Sequence, residues 1–153
     1  MDLQFIRTDS DHPAFKLLYP QLDMELKIRD GEDHAFYAQY NKPDNIQSVV
    51  IAFDGEIPVG CGALKIYDER IVEVKRMFVL KAYRGKRIAT LILVELEEWA
   101  FQLRFEELIL ETGKAQPEAI ALYLKAGYQI TDNYGQYAGV EKSVCMRKAV
   151  TST

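Results

Sequence analysis

At 153 residues, 48% hydrophobic and 27% charged, the chain has the composition of a folded protein with enough length for one sizeable core, and not that of a disordered segment. A formal net charge of −4 argues against a nucleic-acid partner, and no apolar run approaches the roughly 20 residues of a membrane span. Two His and two Cys, nowhere at ligand spacing, speak against a bound metal, and Cys61 and Cys145 read as buried, reduced thiols of a cytoplasmic protein. The opening Met1-Asp-Leu-Gln-Phe-Ile-Arg7 lacks the basic and apolar regions of a secretory signal.

Leu3, Phe5 and Arg7 alternate with Gln4 and Ile6 and predict a first strand. Asp9-Ser-Asp-His-Pro13 carries cap candidates and a first-turn proline, so a helix starts there. Phe15, Leu18, Leu22 and Leu26 carry it to about Arg29, and Gly31 ends it. A short second helix is expected over residues 32–40, with Phe36, Tyr37 and Tyr40 at helical spacing. His34 lies in it and reads as a surface residue, with a catalytic role as the alternative. Three strands then follow as a meander: Val49 to Phe53, Ile57 to Tyr67 after the Asp54-Gly55 turn, and Ile71 to Val79 after Asp68-Glu-Arg70. Pro58, Gly60 and Gly62 predict a bulge or irregular edge in the second of these.

Between Val79 and Thr90 the chain turns through Arg84-Gly85-Lys86-Arg87 into a helix whose stripe is Ile88, Leu91, Ile92, Leu96, Trp99 and Leu103. The start of a helix leaves backbone N–H groups unpaired and presents the positive end of its dipole. Six of the 19 Lys and Arg fall between Lys75 and Arg87, which predicts an anion site, most naturally for phosphate; the alternative is a turn whose charges are merely solvated. Two phosphate motifs fail. A P-loop requires Gly at position 80 and Ser or Thr at 87, where Leu80 and Arg87 stand, and a dinucleotide fingerprint at Gly60-Cys-Gly62 lacks its third Gly at Lys65.

After that helix, Glu107-Leu-Ile-Leu-Glu111-Thr reads as a strand ending at Gly113. Pro117 opens a helix with Ile120, Leu122, Tyr123 and Ala126 as its apolar face and Gly127 as its cap. Tyr128 to Thr131 and Val140 to Arg147 are closing strands around a Gly- and Tyr-rich loop, and Thr151-Ser-Thr153 is a polar end. The order βααβββαβαββ is mixed α+β, with no repeat or linker.

Two of these stretches carry a resemblance. Arg84 to Ala89 resembles the Arg/Gln-x-x-Gly-x-Gly/Ala signature of the GNAT superfamily of acyl-CoA-dependent N-acetyltransferases, departing at Arg87, where the first Gly is usual. Gln116-Pro-Glu-Ala119-Ile-Ala-Leu122-Tyr123-Leu-Lys-Ala-Gly127-Tyr128 resembles its Asn-x-x-Ala-x-x-Leu-Tyr-x-x-x-Gly-Phe/Tyr element, with Gln116 replacing Asn. The detailed resemblance spans residues 49–149. It implies the GNAT fold, a mostly antiparallel twisted sheet flanked by about four helices in a single domain over residues 1–153. It also implies acetyl-CoA as donor and a small-molecule amine as acceptor, with direct transfer in a ternary complex and no metal. A homodimer stays open. A non-catalytic acyl-CoA sensor on the same fold is the alternative function.

The resemblance assigns roles residue by residue. Backbone amides of Arg84, Gly85, Lys86, Arg87, Ile88, Ala89 and Thr90 cradle the pyrophosphate, Arg87 offering its N–H if its dihedrals are helical. Phe78 and Val79 pair with the pantetheine arm, and Gln116 contributes as the family's Asn does. Tyr123 is the proton donor to the departing thiolate, or else a core residue. Glu73 is the base, or else an ion-pair partner of Lys75 or Arg76, with Glu111 as a second candidate. Period-two alternation puts Glu73 on one side with Lys75, Met77 and Val79. Tyr37, Tyr40, Tyr134 and Tyr137 are expected to face the acceptor. The carboxylates of Asp23, Glu25, Asp30, Glu32 and Asp33 either attract a cationic amine or form a solvated helix face.

Overall fold

A computed structural model describes residues 1–151; Ser152 and Thr153, from the polar end, lie outside the described residues. Seven strands form one sheet: β1 (Leu3–Thr8), β2 (Ser48–Asp54), β3 (Ile57–Ile66), β4 (Ile71–Val79), β5 (Glu107–Gly113), β6 (Gln129–Thr131) and β7 (Ser143–Ala149). Their order is β1-β2-β3-β4-β5-β7-β6, so the last strand inserts between β5 and β6. Only β4 and β5 run parallel; the other neighbours are antiparallel. Four α-helices flank it: α1 (Pro13–Asp30), α2 (His34–Ala38), α3 (Ile88–Gln102) and α4 (Pro117–Lys125). The mixed α+β order and the mostly antiparallel sheet are those expected.

Local chemistry explains the boundaries. The ring of His12, not Asp9 or Ser10, caps α1: its Nδ1 accepts the Ala14 N–H at 3.0 Å. Ser10 is instead spent on the turn before β2, where its Oγ accepts the Ile46 N–H at 3.0 Å. Gly31, at φ 54°, closes α1 with its N–H on the Lys27 carbonyl. The second helix is shorter than predicted, a 3-10 turn over Gly31–Asp33 followed by the five residues of α2.

Helix α3 and α4 cover one face of the sheet, with Val50, Leu64, Val74, Leu108, Leu110 and Met146 beneath. The seam of α3 is Ile88, Ile92, Leu96 and Ala100 with Leu93; Leu91 and Leu103, placed in the stripe by sequence, are exposed. Four-residue steps fix that face; Leu91 precedes it by one residue, and Leu103 lies beyond the last helical residue, Gln102. Close seating needs Gly62, where an added Cβ would lie 2.6 Å from Met77 Sδ and 2.8 Å from Ile92 Cγ2. The opposite face packs Phe15, Leu18 and Leu22 of α1 against Val49, Ile51, Cys61, Ala63 and Phe78.

Two irregularities shape the centre. In β3 the register slips at the Val59 region, so the predicted irregularity is present. In β4 the pairs Ala63↔Lys75 and Cys61↔Phe78 leave one extra residue on β4, with Arg76 at φ 58°. The bulge corrects the alternation argument. Glu73 and Lys75 share the α1 face, but Val79 and Met77 pack with the α3 side while Phe78 joins the α1 side. Parallel pairing of β4 with β5 stops at Glu73↔Ile109, and beyond it the two strands splay apart.

Candidate active site

The splay opens a cleft through the sheet, lined by Val74, Lys75, Arg76 and Met77 from β4 and by Glu111, Thr112 and Gly113 from β5. Gln116, Ala119 and Tyr123 wall it on the α4 side; Leu22, Leu26, Asp30, Tyr37 and Asn41 wall it on the α1 side. The two sides differ chemically. Tyr123 is buried, and its hydroxyl makes no hydrogen bond among the described residues. Burial, then the charge of Glu111, raises the Tyr123 phenol above its ordinary value, so it holds its proton at neutral pH.

Across the cleft, burial pushes the Glu111 carboxyl up to about 7, partly offset by a hydrogen bond with Ser143 and by the charge of Lys75. Its Oε2 is buried and has no hydrogen-bond partner. The Ser143 hydroxyl is also 3.0 Å from the Tyr37 hydroxyl. Lys75 donates from Nζ to the Tyr40 carbonyl at 3.0 Å, and burial lowers its pKa against the pull of Glu73 and Glu111. Arg76 is buried and tied down by Asp23 at 2.6 Å and by the carbonyls of Asn41 and Tyr19.

Glu73, the base favoured by the resemblance, is buried at the closed end of the splay and does not line the cleft. It accepts a 2.5 Å hydrogen bond from the Tyr134 hydroxyl. It makes no ion pair with Lys75 or Arg76, whose partners are the Tyr40 carbonyl and Asp23. Of the four acceptor-facing tyrosines, Tyr37 lines the cleft. Tyr40, Tyr134 and Tyr137 pack edge-on behind it with Phe36, and Tyr137 is 1% exposed. In the acidic stretch Asp23 is paired with Arg76, Glu25 with Arg84 and Arg29, and Asp33 with Lys142. Asp30 remains on the cleft wall without a salt bridge among the described residues.

The basic turn lies between the end of β4 and α3. Amides of residues 85–90 make no hydrogen bond among the described residues, and the first helical bond of α3 runs from the Leu91 N–H to the Arg87 carbonyl at 3.0 Å. Gly85 and Arg87 both have left-handed backbone, at φ 78° and φ 66°. Arg87 is thus left-handed and not helical, contrary to what its expected role assumed; this is a conformation that a Gly adopts without strain. Such left-handed residues beside a helix start turn successive N–H groups toward one point. Lys86 and Arg87 are exposed, and neither makes an ion pair among the described residues. Arg84, also exposed, is engaged within the chain: Nε donates to the Val79 carbonyl at 2.9 Å, Nη2 pairs with Glu25 at 2.7 Å, and the guanidinium lies over Phe78. Ile88 is buried beneath the turn, and Ala89 and Thr90 are half-buried beside it. Gln116 caps α4 through its carbonyl, and its side chain reaches the cleft.

Sequence reading gives Lys75 and Arg76 as ion-pair partners for Glu73, and Asp30 as one of an acidic stretch; all three line the cleft. The signal for the first two is a pair of adjacent cations in a strand that is apolar apart from them and Glu73. Among the described residues no group of three or more His, Cys, Asp or Glu could hold a metal ion, and no helix is long and apolar enough to cross a membrane.

The chain resembles a protein from Klebsiella pneumoniae described as a candidate acyl-CoA N-acyltransferase, with TM-score 0.81 and 27% identity over 97% of this chain and 98% of that one. A GNAT family acetyltransferase from Elizabethkingia anophelis, solved with acetyl-CoA bound, shares the fold at TM-score 0.67 and 16% identity, over 97% of this chain and 98% of that one. IAA acetyltransferase of Azospirillum brasilense is 40% identical over 108 residues, covering 70% of this chain and 69% of that protein. The uncharacterised N-acetyltransferase YjgM of Escherichia coli is 29% identical over 135 residues, covering 82% and 80%. The model of the acetyltransferase (GNAT) family matches residues 12–128, which include the basic turn, the splayed strands and Tyr123; the chain belongs to that family of enzymes.

Proposed function

We propose that the protein transfers the acetyl group of acetyl-CoA directly to the amine of a small molecule, with Glu111 as base and Tyr123 as acid. The observation that carries this reading is the pairing of opposite chemistries on the two sides of the splay. A carboxyl held near neutrality with an unpartnered oxygen stands on one side, and a protonated phenol without a partner on the other. The cradle fits the donor: six consecutive amides, residues 85–90, are unpaired, and the space beside Gly85 is open, with nothing within 4 Å of a Cβ there. Gly85, Lys86, Arg87 and the start of α3 would hold the phosphates, and the open edge of β4 near Phe78 would meet the pantetheine. When bound, the donor supplies an activated acyl group on sulfur.

Glu111 then removes one proton from the acceptor's ammonium, leaving a neutral nitrogen. Tyr123 gives its proton to the sulfur as the sulfur–carbon bond breaks and the nitrogen–carbon bond forms, and the second proton that the nitrogen loses on becoming an amide returns to the Tyr123 phenolate, so one proton is left over, on Glu111. Lys75 holds Glu111 toward its ionised form, and burial holds it back, so the carboxyl exchanges a proton close to physiological pH. Glu73 serves a structural purpose here, fixing the Tyr134 segment behind the acceptor wall.

Thiol release from acetyl-CoA across a panel of small amines tests the reading. Tyr123→Phe keeps the ring and should lower kcat by roughly 100-fold with little change in acetyl-CoA affinity. Acetyl-CoA binding without turnover on any amine would support the sensor reading, and wild-type turnover in the folded mutant would return Tyr123 to the core.

A further inference from the structure

Three buried side-chain atoms of the described chain lack a hydrogen-bond partner: Glu111 Oε2, Arg76 Nε and His34 Nδ1. Orphans of this kind are rare in native interiors and call for a cause. Glu111 and Arg76 line the cleft. His34 lines a second cavity beside it, bounded by Asp23, Leu26, Asp30, Ala38, Asn41, Lys42 and Pro43. The two cavities share Leu26, Asp30 and Asn41 as walls, so Asp30 stands between Glu111 and His34. The electrostatics follow that order. Asp30 feels His34, and Glu111 feels Asp30.

We infer that Asp30 and His34 carry the proton from Glu111 out to solvent through the second cavity. The inference rests on the proposed acetyl transfer. An ammonium that becomes an amide releases one proton overall, and Glu111 receives it inside a cleft that donor and acceptor fill. For the next turnover the Glu111 O–H bond must break, with the proton passing to an Asp30 oxygen, directly or through water, and then to the His34 ring. The imidazole gives it up to solvent, and no electron pair leaves the protein.

The charged neighbours suit this route. Asp23 is occupied by Arg76 and Asp33 by Lys142, so neither captures the His34 ring as a permanent ion pair. Lys75, on β4, faces Glu111 and favours its ionised form, whereas Asp33, beside α2, raises Asp30. Burial also raises Asp30, which brings its affinity for a proton closer to that of Glu111. Lys42 is exposed at the outer wall, and Tyr37, Glu73, Tyr123, Tyr137 and Cys145 are further titratable groups around the inner end. Asp30 and His34 are positioning residues for this step, acting through Glu111 and not on the substrate.

The test uses the whole chain with saturating acetyl-CoA and an amine that the wild type acetylates. His34→Ala should lower kcat about tenfold with KM unchanged, and added imidazole should restore the rate in proportion to its concentration. His34→Gln, which keeps size and polarity, should show the same loss if alanine disturbs folding. Asp30→Asn should be equally slow, and adding His34→Ala to it should cost nothing more, because steps in series fail once. Tyr123→Phe should not respond to imidazole. Unchanged kcat in folded His34 variants, or a loss that imidazole leaves in place, would overturn the relay. Absence of acetyl transfer in the wild type would instead overturn the reaction on which it rests.

Discussion

Glu111 shows how much one side chain inherits from its neighbours. On β5 it alternates with Leu108 and Leu110, which pack on the α3 side, so its carboxyl points to the other face and is enclosed by the walls of the cleft. Its folded pKa of about 7 lies above the ordinary carboxyl value. The stability it contributes is therefore fully present at acid pH and lost as pH rises toward and through about 7, an effect on the order of a few kcal/mol. Glu111→Gln should flatten that dependence, so urea unfolding at pH 5 and pH 8 should differ less in the mutant than in the wild type. The same carboxyl must be ionised to act as base, so kcat/KM should rise with pH to a plateau with a midpoint near 7, and Glu111→Gln should abolish activity. A midpoint near 4.5, the ordinary carboxyl value, would assign the base elsewhere. At this scale the sequence was partly legible. A lone acid in Leu-Ile-Leu-Glu is visible as an oddity, whereas the left-handed backbone of Arg87 is not, because nothing in an Arg codon's neighbours announces φ 66°.

At the scale of elements, the reading failed where regular periodicity was assumed to continue. Ile71–Val79 was delimited correctly, yet the extra residue at Arg76 moves Val79 to the face opposite Glu73. Buried Arg76 holds that bulge through α1 and the segment after α2, partners more than 30 residues away that no local window contains. Gly62 is the converse, a local residue with a long-range cause. It admits α3 to the sheet, and Gly62→Ala would press on Ile92 and Leu96, which have little room to yield. The expected cost is ~1–3 kcal/mol. Since α3 also presents the amide cradle, acetyl-CoA affinity should fall together with the unfolding midpoint. A mutant as stable as wild type would mean that Met77 alone absorbs the methyl group.

Across the whole molecule, the order of elements was legible from hydrophobic period and turn residues, and the insertion of β7 between β5 and β6 was not. Strand order depends on contacts that pair residues such as Glu111 and Cys145, and sequence spacing gives no register for them. The cleft arises at this level. It belongs neither to β4 nor to β5 but to the point at which they part, after Glu73 and Ile109.

That parting leaves two strand edges facing inward, one on β4 beyond Glu73 and one on β5 beyond Ile109. Unpaired edges are templates for foreign strands, and most proteins blunt or cover them. Here the cover would be the ligand, so the empty enzyme should be the sticky one. On gentle warming, light scattering should rise earlier without acetyl-CoA than with it, and earlier at higher protein concentration. Equal onset in both samples would show that the inner edges are closed to intruding chains, and that the cleft is narrower in solution than its walls suggest.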